Sequence, residues 1–81
     1  MKLVIERHAL RDLRKAPRRV ETTIRVRLDE IAANPFAAQR NVTVLKGATD
    51  IFRLRTGGWR TLYEVDREAD IVRVLAIKPR G

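Results

Sequence analysis

Ile51-Phe52-Arg53-Leu54-Arg55-Thr56-Gly57-Gly58-Trp59-Arg60-Thr61-Leu62-Tyr63-Glu64-Val65-Asp66 is two alternating runs about a pair of glycines. Successive residues of a strand point to opposite faces, so a period of two marks a half-buried strand. Phe52 and Leu54 share one face of the first run, and Arg53 and Arg55 the other. Thr56-Gly57-Gly58 reads as the tight turn of a hairpin. In the second run Trp59, Thr61, Tyr63 and Val65 fall on one side, with Arg60 and Leu62 opposite. If Phe52, Leu54, Tyr63 and Val65 form the core side, Arg60 lies on the open face beside Arg53 and Arg55.

Downstream, Arg67-Glu68-Ala69-Asp70 is a polar turn, and Ile71 to Ile77 is an almost continuous apolar run that makes a third strand. Upstream, Val20, Ile24, Leu28 and Ile31 recur at spacings of four, four and three, the stripe of a helix of about four turns. Arg18, Arg19, Arg25 and Asp29 occupy its opposite face, and Asn34-Pro35 ends it. A shorter helical pattern, His8 to Lys15 with Ala9, Leu10 and Leu13 apolar, precedes it. Pro17 separates the two and suits the first turn of the second helix. Leu3-Val4-Ile5 is long enough for a first strand. Residues 36–50 read as a connection, with Val42-Thr43-Val44-Leu45 a candidate for a short extended piece. The expected fold is therefore α+β, in the order β-α-α-β-β-β: a small, mainly antiparallel sheet with a helix pair on one face. Residues 1–81 form a single domain without repeats or linkers.

Composition narrows the function. Lysine and arginine number 18 against 10 acidic residues, a net charge of +8. Arginine dominates, since lysine occurs only at Lys2, Lys15, Lys46 and Lys78. Guanidinium groups bind phosphate bidentately and stack on bases, so the balance points to nucleic acid, an acidic protein, or both in turn. An arginine-rich proteome of high GC content would explain the number of arginines but not their clustering. No cysteine is present, so neither a disulfide nor a thiolate metal site can brace the fold. No apolar run approaches the roughly 18 residues of a membrane span. Charge interrupts the N-terminal residues too early for a signal peptide. The expected location is the cytoplasm, with no membrane partner.

The segment from Ile51 to Tyr63 contains no acidic residue. Guanidinium groups held together without counter-charge repel one another, and the arrangement is best explained by an anionic ligand. Arg80 and Lys46 are placed to approach the same end of the sheet. Single arginines on such a face serve solubility; a group on adjacent strands is a site. Other constellations are weaker. His8, the only histidine, suits a solvated or capping role near a helix start. No spacing of histidine and carboxylates makes a metal site. Gly57-Gly58 is not followed by a helix and so is no phosphate loop. Serine is absent, which excludes serine hydrolysis. Trp59 and Tyr63 fit the core, although an aromatic at the edge of a basic sheet can also stack on a base. Glu64, Asp66, Glu68 and Asp70 gather at the far turn, partly offset by Arg67.

Leu45-Lys46-Gly47, Phe52-Arg53-Leu54-Arg55, Gly58-Trp59-Arg60, Tyr63 and the closing Arg80 together resemble the RelE branch of the RelE/ParE toxins of type II toxin–antitoxin systems. Ala9-Leu10-Arg11-Asp12-Leu13 and Asn34-Pro35 fit the same pattern, and the similarity runs through nearly the whole chain. The resemblance implies a metal-independent endoribonuclease that needs no cofactor and cuts mRNA on the ribosome. The RNA's own 2′-OH would attack the adjacent phosphate. Arg53 and Arg60 would hold and neutralise that phosphate, and Arg80 would stabilise the pentacoordinate state or assist the leaving 5′-oxygen. Lys46, Arg55 and Lys78 would grip the RNA. A cognate acidic antitoxin is the implied protein partner. Many members of that branch also carry a tyrosine or histidine beyond the last strand as a base or stacking group. After Ile77 this sequence has only Lys78-Pro79-Arg80-Gly81. Three explanations stay open: arginines and substrate alignment suffice, activity is weak, or the natural C-terminus extends beyond Gly81. Two alternatives follow: the ParE branch, which poisons DNA gyrase, and a non-catalytic RNA- or protein-binding relative.

Overall fold

The computed structural model describes residues 1–45 and 50–79. The elements are β1 (Lys2–Ile5), α1 (Arg7–Lys15), α2 (Arg18–Ala33), β2 (Val42–Val44), β3 (Ile51–Thr56), β4 (Trp59–Asp66) and β5 (Ile71–Pro79). They form one sheet in the order β1-β5-β4-β3-β2. β1 runs parallel to β5, and the other pairings are antiparallel. The meander and the helix pair are those expected. The extended piece at Val42 is a true strand, which pairs with β3 from Val42↔Leu54 to Val44↔Phe52 and closes that edge of the sheet.

Periodicity explains the packing. Ile24, Leu28 and Ile31 of α2 and Ala9 and Leu13 of α1 are completely buried. They cover Leu54, Tyr63, Val65, Val72, Val74 and Ile77 on a single side of the sheet. Val20, Phe52 and Trp59 are only partly buried and pack at the margin of this core. Pro17 stands immediately before α2, where its fixed φ and missing N–H break the chain between the helices without costing an internal hydrogen bond.

Spacing in β5 departs from strict alternation. Leu62 faces Ala76, but Tyr63 faces Val74, so Leu75 is an extra residue in a β-bulge. The bulge brings Val72, Val74 and Ile77 to the core side and turns Ala76 and Lys78 to the open face, opposite Leu62 and Arg60. His8 Nε2 donates to the Leu75 carbonyl at 2.6 Å, which satisfies a group at the bulge. The histidine is thus an exposed brace between α1 and β5.

Thr56 pairs with Trp59 across a two-residue turn. Gly57 has φ 57°, the left-handed region, and a Cβ there would meet nothing within 4 Å. Gly57→Ala should therefore destabilise the protein by about 1 kcal/mol through the backbone alone. Gly58→Ala, outside that region, should stay within about 0.5 kcal/mol of the parent. Denaturant midpoints check this, and equal midpoints for the two variants would refute it.

Candidate nucleic-acid interface

The β3–β4 register sets Arg55 directly against Arg60, and the β4–β5 register sets Arg60 against Lys78. Three cations thus form one row across three adjacent strands. Directly opposed residues on one face have Cβ atoms about 4.5–5.5 Å apart. Arg53 lies one pleat further along β3, in a row with Leu62 and Ala76. Arg53, Arg55 and Arg60 are all exposed. Among the described residues none of them meets an acidic side chain.

Two clefts open on this face. One, of about 250 Å³, is lined by Leu45, Arg53, Arg60, Leu62, Ala76 and Lys78. The other, of about 280 Å³, is lined by Arg53, Arg55, Gly57, Gly58, Trp59 and Arg60. Arg53 and Arg60 are common to both, so they stand on the ridge between them. The first cleft takes apolar Leu62 and Ala76 into its lining, and Trp59 borders the second. Leu62 was placed on this face by alternation, whereas Ala76 and Lys78 arrive there only through the bulge.

Not all the positive charge is available. Lys78 Nζ binds Asp12 Oδ2 of α1 at 2.9 Å, and this bond is the main reason the Asp12 carboxyl is held below its ordinary pKa. At the opposite end of the same face, Arg73 binds Glu64 at 2.8 Å and Asp66 at 3.5 Å. The acidic far turn is therefore offset by Arg73 and not, as expected, by Arg67. Arg67 instead binds Asp50 at 3.2 Å and lies 4.2 Å from the centre of the Phe36 ring. The open face is thus divided into a neutralised end and a cationic end. Lys46 and Arg80 lie outside the described residues. Among those described, no group of three histidine or carboxylate side chains could hold a metal ion. None of the described helices is long and apolar enough to cross a membrane.

The protein is thus an α+β sandwich with one bare, arginine-lined sheet face. The family described as "ParE toxin of type II toxin-antitoxin system, parDE" matches residues 3–81. The chain belongs to this family, within the RelE/ParE superfamily of toxins. The isolated RelE toxin of E. coli superposes with a TM-score of 0.86 at 24% identity, over 99% of this chain and 84% of that one. A chain of the intact E. coli RelBE toxin–antitoxin complex gives 0.81 at 27% identity, covering 99% and 96%. One from the RelBE2 toxin–antitoxin complex of Mycobacterium tuberculosis gives 0.77 at 26%, covering 98% and 96%. No curated protein sequence matches the chain.

Proposed function

We propose that this toxin is a ribosome-dependent mRNA endoribonuclease whose reaction centre lies on the ridge formed by Arg53 and Arg60. The observation that carries the proposal is that these two arginines meet no acidic partner among the described residues and line both clefts of the open face. A phosphodiester seated there would meet two guanidinium forks. The substrate's 2′-oxygen attacks the adjacent phosphorus, a P–O bond forms, and the bond to the 5′-oxygen breaks. The products are a 2′,3′-cyclic phosphate and a 5′-hydroxyl end. Negative charge grows on the phosphate oxygens during attack, so fixed cations stabilise the transition state more than the ground state. Arg55 flanks the ridge and holds the neighbouring backbone; Lys78 joins it by exchanging Asp12 for phosphate, and Trp59 borders the second cleft. Arg80 and Lys46 take the roles that the family resemblance gives them, at the leaving oxygen and on the RNA backbone respectively.

The +8 charge also suits a cognate acidic antitoxin, as in the RelBE complexes that share the fold. Such a partner neutralises the cationic face, and electrostatic encounter makes its association weaken with salt. Toxin and antitoxin are proposed to meet in the cytoplasm, where ribosomes are.

The ParE description of the matching family favours a second reading, inhibition of DNA gyrase. Induction of the protein in cells followed by mapping of mRNA 5′ ends separates the two. The nuclease produces new internal 5′-hydroxyl ends within translated reading frames. Intact mRNA with trapped, cleaved DNA would replace it with the gyrase reading, and neither outcome would leave a binding protein.

A further inference from the structure

We propose that the cavity between α2 and the free end of β3 is a second phosphate subsite, which receives the RNA strand as it leaves the open face. This rests on the RNA-cleavage reading above and extends it to a region that the sequence did not single out.

The cavity arises from the shortness of β2. That strand pairs with β3 only as far as Leu54. One further bond, from Arg55 N to Asn41 O at 2.9 Å, ends the contact. Asn41 then turns away with φ 61°. On that edge Arg55, Thr56 and Gly57 have no paired strand, though Arg55 and Thr56 still pair with β4 on the other, and they face α2 across a space of about 480 Å³. That is within the range of small-ligand sites, about 300–1,000 Å³. Its walls include Thr23, Arg27, Arg40, Arg55 and Thr56, with Glu30 as the only acid.

Glu30 is committed to Arg27, whose Nη1 it accepts at 2.9 Å. Arg27 also donates to the Gln39 side chain at 3.3 Å and to the Arg40 carbonyl oxygen. It fixes the loop that carries Arg40 at the cavity rim. Arg40 and Arg55 then supply charge that meets no acidic partner among the described residues. The buried Thr56 hydroxyl has no hydrogen-bond partner among the described residues.

Arg55 connects the two places. It lines this cavity and also the cleft that holds Arg53 and Arg60. The cationic surface therefore continues round the corner of the hairpin from Arg53 and Arg60, through Arg55, to Arg40. A polynucleotide repeats its charge along a flexible strand and can follow such a path. An acidic peptide would also need apolar pockets for anchoring side chains, and these walls are polar.

The test measures binding of fully 2′-O-methylated, hence uncleavable, oligoribonucleotides to the full chain. Two lengths are used, about three and about eight nucleotides, the longer reaching past a single stacking site. The longer one should bind the parent more tightly. Arg40→Ala should remove about tenfold of that gain and lower the salt dependence by about 0.7 in log–log slope. Arg40→Lys should restore part of it, and Arg53→Ala should weaken both lengths. Thermal melts confirm that each variant is folded.

If Arg40→Ala matches the parent while Arg53→Ala weakens binding, the subsite is wrong and the open-face reading stands. If neither substitution matters, the RNA reading itself fails and takes the subsite with it. A glutamate-rich peptide whose binding depends on Arg40 while RNA binding does not would make the cavity a carboxylate site and overturn the proposal.

Discussion

Arg60→Ala is expected to slow cleavage of ribosome-bound mRNA about 100- to 1000-fold, the cost of one preorganised transition-state contact of about 2.7–4 kcal/mol. Arg60 is the central cation of its row, with Arg55 on one side and Lys78 on the other. It is also one of the two residues common to both clefts. Its backbone is held on both sides by sheet pairing, one residue beyond the Thr56–Trp59 pair that closes the two-residue turn. The guanidinium therefore starts from a fixed base and loses little freedom on binding phosphate. Arg60→Lys keeps the charge but loses the planar fork, so it should recover only part of the activity. Neither change should lower the melting temperature. The side chain is exposed, and it faces Arg55, a like charge with no acidic partner among the described residues, whose repulsion is relieved by its removal. Single-turnover cleavage and thermal melts on parent, Arg60→Ala and Arg60→Lys test this together. A folded Arg60→Ala protein that cuts as fast as the parent would defeat the assignment.

The legibility of this site in the sequence depended on which physical rule placed each residue. Arg53, Arg55 and Arg60 follow from strict alternation about a glycine turn, a local property, and the structure sets them on one face as alternation requires. The α2 stripe is equally local, and Ile24, Leu28 and Ile31 are fully buried. Lys78 is different. Counting by twos from Arg73 would put it on the core side, and only the extra residue Leu75 turns it beside Arg60. A bulge is fixed by pairing with another strand, so a single run of apolar residues does not disclose it. Its partner Asp12 lies 66 positions away, beyond the reach of any spacing argument. The division of charge was hidden for the same reason. Arg67 sits among the acids of the far turn, yet it binds Asp50. Arg73, one pleat into the next strand, is the residue that clamps Glu64 and Asp66. Arg27 and Arg40 line one cavity with Arg55, beyond the point where β2 stops pairing with β3, a consequence of tertiary packing.

The largest effect on stability should come from Tyr63. Its ring is 1% exposed and stacks on Phe52 with centroids 5.3 Å apart and planes 22° from parallel. It lies in the central strand of the sheet, so the space left by truncation is walled by elements on both sides and cannot easily collapse. Large-to-small changes of this kind cost about 3–5 kcal/mol. A domain of this size has on the order of 4–12 kcal/mol in all, so Tyr63→Ala should be poorly folded or unfolded near body temperature. Tyr63→Phe keeps the ring and should lose little at neutral pH. It should differ in alkali. Burial pushes the Tyr63 hydroxyl up to about 12, against a weaker opposite pull from Arg27. The unfolded chain ionises near the ordinary value of about 10. Below pH 10 both states keep the proton and the contribution to stability is complete. From 10 to 12 the unfolded state releases its proton first, and parental stability falls by about 1.4 kcal/mol per pH unit relative to Tyr63→Phe. Tyr63 is the only tyrosine, so tyrosinate absorbance reports its ionisation without overlap from another. Parallel denaturation curves for parent and Tyr63→Phe from pH 8 to 12 would refute the burial argument if their difference stayed constant. So would a tyrosinate transition in the folded protein near pH 10.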